Sequence, residues 1–377
     1  MKFSFLLVAG FPDSILQFRG PLLDALKAKG LEVHVAAPGL GDGSPVRQAL
    51  EARGLTAHDI PLQRTGMNPA KDLRSLIDLW HLMRRLRPRY TLAYTVKPVI
   101  YGTLAGWLAG VPQRCALITG LGYAFQDGDQ KHHRGTLCTL VQALYRQGLN
   151  KAHKTFFQNP DDEALFRELK ILPADHVSCI VNGSGVDLDR YQVTPLPKAP
   201  HFLLIARLLG DKGVREYAAA AAHMRAKYPE CTFSLAGWVD NNPDAISDAE
   251  LQGWITEGHI NYLGRLDDVR PAITACNVYV LPSYREGTPR TVLEAMAMGR
   301  AIITTDVPGC RQTVEDGRNG YLVPPRSVEG LVQAMESLYA DPGLIASMGA
   351  QSRTMAERRY NVHKVNANIL HEMGITP

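Results

Sequence analysis

The sequence predicts an α/β protein, two doubly wound parallel-sheet domains facing across a cleft, and three observations predict it. At 377 residues the chain exceeds one ordinary core, and its length favours two domains of about 150 to 200 residues each. The opening "KFSFLLVAG", a helical segment over Phe18 to Gly30, and "LEVHVAAP" read as strand, helix, strand. The same grammar restarts at "HFLLIARLLGDKG", after Pro195, Pro197 and Pro200 have broken the chain as a linker does.

Each element follows from its apolar spacing. In the first helix Leu22, Leu23 and Leu26 fall on one face, which predicts a helix laid on a sheet. In the second half "TFSLAG", "INYLG", "NVYVLPS" and "AIITTD" are short apolar strands separated by helical segments, the alternation of a parallel sheet. The first domain is expected over residues 1–196 and the second over 197–360. Residues 361–377 are expected to form a helix that packs back on the first domain.

Hydrophobic content of 45% with 21% charged residues excludes a disordered chain and a small disulfide scaffold, and names no function. Cys115, Cys138, Cys179, Cys231, Cys276 and Cys310 have no CxxC spacing, so they read as reduced thiols of a cytosolic protein and offer no metal cluster. The apolar run Phe3 to Gly10 is short for a signal peptide, and no run reaches the ~18 residues of a spanning helix. The net charge of +4 is uneven: residues 1–196 hold 23 Lys and Arg against 17 Asp and Glu, and the remainder 18 against 20.

Ligands of open α/β sheets bind beyond the carboxyl ends of the strands, and two segments there carry chemistry. Arg207-Leu208-Leu209-Gly210-Asp211-Lys212-Gly213 puts two cations and two glycines in one strand-to-helix turn, a pattern suited to a diphosphate. In "SYREGTPRTVLEAMAMGRAII" Glu294 sits among Val292, Leu293, Ala295, Met296 and Ala297, where a carboxylate loses its hydration unless something donates to it. A carboxylate in such a place matches a vicinal diol, accepting two hydroxyl hydrogen bonds. Eight residues earlier Glu286 precedes a turn that predicts Thr288 as N-cap and Pro289 as the first helical residue. A carboxylate beside that helix start favours a sugar hydroxyl as partner.

Arg207 with Lys212-Gly213, the pair Glu286 and Glu294 eight residues apart, "EGTPRTVLEAMAMGRAII" and "VPGCRQTVEDGRNGYLVPP" resemble the retaining GT-B glycosyltransferases of the GT4 type, typified by bacterial capsule and O-antigen enzymes. "FRGPLLDALKAKGLEVHVAAP", "KPVIYGTLAGWLAGVP" and "ITGLGYAF" resemble the branch that extends undecaprenyl-diphosphate-linked sugars, several members moving N-acetylhexosamines from UDP. The resemblance implies two Rossmann-like domains, the first binding acceptor and the second binding a nucleotide sugar. It gives the diphosphate to Arg207 and Lys212, the ribose hydroxyls to Glu294 and a donor-sugar hydroxyl to Glu286. Backbone amides of Gly287, Thr288, Arg290 and Thr291 would complete the phosphate cradle. On the acceptor side it points to Phe18, Arg19, Lys97, Gly120 and Gly122. Many relatives carry a His-Gly where this chain reads Thr119-Gly120-Leu121-Gly122, so the role of that imidazole is unassigned here.

The acidic triplets Asp127 to Asp129 and Asp187 to Asp189 match a metal-binding DxD only as chance matches do, so metal-independent transfer is expected, with the nucleotide sugar as substrate and no nucleic-acid partner. Rival readings are a GT-B sugar-nucleotide epimerase or hydrolase, and a catalytically silent subunit that binds a nucleotide sugar. The basic excess gathers in "DLRSLIDLWHLMRRLRPRY" and "KHHRGTLCTLVQALYRQGLNKAHK". Leu76, Trp80, Met83, Leu140 and Leu144 are read as core. Lys131, His132, His133 and Arg134 stand at a helix start, where the dipole disfavours cations and an external anion is a suitable partner. A cytoplasmic enzyme touching the inner membrane face, and there a lipid-linked acceptor, is the expectation.

Overall fold

In the computed structural model, residues 3–63, 68–121, 134–239 and 242–375 are described, and they divide into two compact units, Met1–Ser184 with His363–Pro377, and Gly185–Val362. Unit 1 alternates β1 (Ser4–Val8), α1 (Asp13–Ala28), β2 (Glu32–Ala37), α2 (Pro45–Ala52), β3 (Thr56–Asp59), α3 (Pro69–Leu86) and β4 (Tyr90–Tyr94). It continues with α4 (Thr103–Leu108), β5 (Gln113–Ile118), α5 (Arg134–Leu149), β6 (Lys154–Phe157), α6 (Pro160–Glu168) and β7 (Ser178–Ile180). The strands form one parallel sheet in the order β3-β2-β1-β4-β5-β6-β7. Apolar layers lie on both faces, as a buried parallel sheet requires. The first helix starts at Asp13, five residues before the expected Phe18, because Pro12 already has helical φ and ψ and Asp13 favours a first turn. Leu22, Leu23 and Leu26 are buried on its inner face.

Unit 2 repeats the plan with β8 (His201–Ile205), α7 (Val214–Lys227), β9 (Thr232–Ala236), α8 (Asp248–Thr256), β10 (Asn261–Gly264), α9 (Arg270–Thr274) and β11 (Val278–Leu281). Then come α10 (Arg290–Ala297), β12 (Ala301–Thr305), β13 (Gly320–Val323), α11 (Val328–Ala340) and α12 (Pro342–Met355). Its sheet is parallel throughout, in the order β10-β9-β8-β11-β12-β13. In both sheets the strand order reverses beside the first strand, at β1/β4 and at β8/β11, and such switch points are where doubly wound folds bind ligands.

The boundary falls at 184/185 and not at 196/197. Val186 and Tyr191 belong to the core of unit 2. Arg300, wholly buried, donates to the carbonyls of Ile273, Thr194, Pro195 and Thr274, so the proline-rich stretch is pinned to unit 2 and is no free linker. Val186 also bridges Asn361, its N–H reaching the Tyr360 carbonyl at 2.7 Å, where the chain leaves unit 2. The last helix, α13 (Val362–Glu372), buries Val365, Ile369 and Leu370 in the core of unit 1, and Lys154 Nζ meets Glu372 Oε2 at 2.6 Å.

Two imidazoles share a hydrogen bond across β2 and β3, His34 Nδ1 to His58 Nε2 at 3.1 Å. Burial lowers both pKa values, that of His58 from 6.5 to about 4, with His34, Arg85 and Arg47 also opposing a charge there, while Glu32 pulls His34 the other way. The unfolded chain therefore binds protons that the folded one refuses. The stability these groups contribute is complete above about pH 6.5 and is lost as pH falls toward about 4. His58→Gln should flatten the slope of unfolding free energy against pH in that window, and identical slopes in variant and parent would refute the assignment.

Candidate active site

The parallel pairing of β11 with β8 brings the turn after β8 and the turn before α10 to one rim of unit 2. Gly213 makes this approach possible: its φ is +69°, and a Cβ there would stand 2.2 Å from the Pro282 carbonyl oxygen. Backbone bonds join the two turns, the Tyr284 N–H reaching the Asp211 carbonyl at 2.9 Å. A third turn, after β12, closes on them. Glu286 N–H donates to the Pro308 carbonyl at 3.0 Å, and Gly309, at φ +83°, lies where a Cβ would be 2.2 Å from the Glu286 carbonyl oxygen.

Within this frame Lys212 Nζ meets Glu286 Oε1 at 2.6 Å, and Ser283 Oγ donates to the same oxygen at 2.8 Å. Burial works against the Lys212 ammonium, but Glu286 and Asp211 outweigh it and hold the pKa above the ordinary lysine value. Arg207 is near enough to oppose that charge, so both expected cations share the rim.

Glu294 is only 5% exposed, on the second turn of α10, with Val292, Leu293, Ala295, Met296 and Ala297 all buried around it. Two donors answer its charge. Arg290 Nε, one turn earlier, and the Tyr191 hydroxyl, 103 residues away in sequence, both reach Oε1 at 2.8 Å. Burial, and then the Glu294 charge, raise the Tyr191 pKa, so the phenol stays protonated. Pro289, in extended conformation, is itself the residue flanking the helix, and α10 begins at Arg290; the expected Thr288 cap lies one residue outside. Proline's fixed φ suits the turn while its missing N–H removes a donor the helix end would leave unpaired. Gly287 is buried, and Thr291 Oγ1 bonds the Ile205 carbonyl at 3.4 Å.

Tyr284, between Ser283 and Glu286, ties the rim to two more elements. Its hydroxyl donates to Glu216 Oε1 on α7 at 2.6 Å, and the Arg326 guanidinium lies 4.8 Å from its ring centroid. Sequence spacing gives no sign of Tyr191 or Glu216, and Tyr284 offers only the local signal of a tyrosine two residues before Glu286.

The acceptor-side candidates belong to unit 1. Lys97, just after β4, is paired with Asp72 of α3 at 2.6 Å, and each side chain is about nine-tenths buried. Burial, and then Asp72, push the neighbouring Tyr101 hydroxyl up to about 12. Arg19 is buried with its guanidinium 5.3 Å from the Tyr94 ring centroid, and Phe18 is half-buried on the same helix. Gly120 has a φ of 133°, which favours glycine. Gly122, Lys131, His132, His133 and the Asp127–Asp129 triplet lie outside the described residues, and of Arg134 only its place at the start of α5 is described. Asp187 of the second triplet accepts from the N–H groups of Asp189 and Arg190, as the residue that opens a turn does. Leu140, expected in the core, is 48% exposed, because α5 turns its Tyr145 and Leu149 face inward instead.

Two doubly wound units with this rim define the GT-B class of glycosyltransferases. Residues 19–183 match the model described as "Glycosyl transferase 4-like domain", and residues 199–341 match "Glycosyl transferases group 1". The chain belongs to the group 1, GT4-type glycosyltransferases and is a hexosyltransferase by family. It is 29% identical over 358 residues, 91% of each chain, to the N,N'-diacetylbacillosaminyl-diphospho-undecaprenol alpha-1,3-N-acetylgalactosaminyltransferase of Campylobacter jejuni. It is 24% identical over 328 residues, 81% of this chain and 80% of the other, to the UDP-Gal:alpha-D-GlcNAc-diphosphoundecaprenol alpha-1,3-galactosyltransferase of Escherichia coli. Among solved structures, sucrose-phosphate synthase of Thermosynechococcus elongatus superposes with a TM-score of 0.79 at 20% identity over 98% of each chain. HepE of Anabaena in complex with UDP gives 0.76 at 19% identity over the whole of each chain.

Proposed function

We propose that this glycosyltransferase moves an N-acetylhexosamine from a UDP-sugar, with retention, onto an undecaprenyl-diphosphate-linked saccharide in surface polysaccharide synthesis. The observation that carries the reading is the 2.6 Å pairing of Lys212 with Glu286 just before α10, the helix that carries the buried Glu294. The names of the Campylobacter and Escherichia coli relatives support the lipid-linked acceptor, and the UDP of the second name and of the HepE complex supports the donor nucleotide.

In this reading Arg207 and Lys212 hold the donor diphosphate, with the amides of Gly287, Thr288, Arg290 and Thr291 at the α10 N-terminus beside it. Glu294 accepts the ribose hydroxyls, and Glu286 a hydroxyl of the transferred sugar. As the bond from the anomeric carbon to the diphosphate oxygen breaks, negative charge grows on the diphosphate, where the two cations stabilise it. The acceptor hydroxyl attacks from the face the diphosphate leaves. Its oxygen forms the new glycosidic bond and its proton passes to a diphosphate oxygen. Lys212 exchanges part of its contact with Glu286 for the phosphate, which frees Glu286 to turn to the sugar. Glu294→Gln and Arg207→Ala should each weaken UDP binding by about 1.5 to 3 kcal/mol, the value of a hydrogen bond to a charged group, whereas Glu286→Ala should act on turnover. Calorimetry with unchanged affinity in the first two removes the donor-site assignment, and a raised KM with unaltered kcat makes Glu286 a binding residue.

Transfer is metal-independent in this proposal, because Arg207 and Lys212 supply the charge that a divalent ion would bring. Activity should survive EDTA. Loss on chelation with recovery in Mg²⁺ or Mn²⁺ would return attention to Asp127 and Asp129.

Unit 1 would meet the lipid. Among the described residues no helix is long and apolar enough to cross a membrane. On α3, α4 and α5 the side chains of Leu73, Ile77, Trp107, Leu108 and Leu140 are exposed, and Lys151 Nζ lies 4.2 Å from the Trp107 ring centroid. Exposed Arg74, Arg84 and Arg85 accompany them on α3, a mixture of apolar and basic groups suited to an anionic lipid surface. Flotation with anionic liposomes should carry the protein upward at low salt. The double variants Trp107→Glu with Leu108→Glu, and Lys131→Glu with Arg134→Glu, should float less while UDP affinity stays the same; a parent protein that never floats disproves lipid association.

A further inference from the structure

Glu294 presents a mechanical question that its diol-binding role leaves open. The last torsion of a glutamate side chain is broad and nearly two-fold, so a carboxylate with no fixed donors offers its oxygens in many orientations. Recognition of two neighbouring hydroxyls needs one orientation. Here both hydrogen bonds, from Tyr191 and from Arg290, go to Oε1, and neither uses Oε2.

The two donors differ in how firmly they are held. The Arg290 side chain is 21% exposed at the mouth of the α10 N-terminus, so an arriving phosphate can draw it away. Tyr191 has no such freedom. It is 4% exposed, its ring packs in the core with Val292 and Met296, and its N–H bonds the Asp187 carbonyl at 2.9 Å. Arg353 Nη1 donates both to the Tyr191 carbonyl at 3.0 Å and to the Ala297 carbonyl at 2.8 Å, which ties the tyrosine backbone to the C-terminal end of α10. Glu294 and its phenol donor are thus fixed to one another through the helix itself.

We propose that Tyr191 is a positioning residue for the donor site: its hydroxyl locks Oε1 of Glu294 so that Oε2 faces the ribose diol, and the preference of the enzyme for a ribose over a deoxyribose depends on it. The proposal rests on the reading of Glu294 as the diol acceptor. It assigns no contact between Tyr191 and substrate. Losing the phenol oxygen leaves the ring and its packing in place, so the carboxylate becomes free to rotate while the fold around it persists.

The test is calorimetry of UDP and 2′,3′-dideoxy-UDP against the parent protein and Tyr191→Phe. The parent should prefer UDP by about tenfold or more, the worth of a hydrogen bond to a charged group. In Tyr191→Phe the affinity for the dideoxy nucleotide should be unchanged and the preference for UDP should shrink by about threefold or more. Unchanged dideoxy affinity also shows that the variant is folded. A parent that discriminates beside a variant with the same ratio overturns the positioning role and leaves the Glu294 assignment intact. Equal weakening of both nucleotides makes Tyr191 a packing residue and overturns the proposal as well. A parent that binds the two nucleotides equally, or binds neither, removes the diol reading of Glu294 and this inference with it.

Discussion

The rim of unit 2 depends on one constraint, the side-by-side parallel pairing of β8 and β11 at the point where the strand order reverses. Neither strand is followed by a helix that crosses over the other, so the turns beyond their carboxyl ends are left to face each other. Gly213 and Gly309 then decide how closely the turns approach, since a side chain at either would strike a backbone carbonyl oxygen at 2.2 Å. Arg207, Lys212, Glu286 and the start of α10 are brought together by backbone geometry before any charge attracts another.

Once assembled, the rim has to support its charges out of water. A buried ion pair recovers its desolvation cost only when geometry and added hydrogen bonds are good. Lys212 and Glu286 satisfy this with a 2.6 Å contact and the Ser283 hydroxyl on the same oxygen. Glu294 satisfies it with two donors from opposite directions, one on its own helix and one on the segment that enters unit 2. The bonds that make these carboxylates tolerable also aim them, so stability and orientation have the same source.

What the sequence discloses follows the range over which each interaction acts. The strands, the α1 face and the shared rim were legible because apolar spacing and turn residues are local signals, and Arg290 to Glu294 is a one-turn contact on a helix. The resemblance to a known family added the ligands that those residues' chemistry would take. Tyr191 was illegible, because 103 residues separate it from Glu294 and nothing near it in the chain marks a donor. The domain boundary misled for a similar reason: Pro195 and Pro197 look like a linker, whereas the residue that pins the stretch, Arg300, comes about a hundred positions later. Asp72 as the partner of Lys97 is again a contact beyond local spacing, 25 residues apart and set by how α3 lies against the end of β4.

That last pair bears on the whole architecture. Each unit has its switch point, and a lysine follows the second strand of the pair in unit 1 and the first strand of the pair in unit 2: Lys97 after β4 and Lys212 after β8. Each is mostly buried, and each is matched by a carboxylate at 2.6 Å from a different element, Asp72 on α3 and Glu286 before α10. A lysine in such a place without a counter-charge would deprotonate or draw in water. At Lys212 the counter-charges of Glu286 and Asp211 outweigh burial and hold the pKa above the ordinary lysine value. The pairing also sets the terms on which an anionic ligand can enter, because a phosphate gains from the ammonium only by taking part of the place that the carboxylate holds. Weak or monovalent anions gain little from that exchange. A diphosphate, which offers more charge and more acceptor oxygens than one carboxylate, gains most.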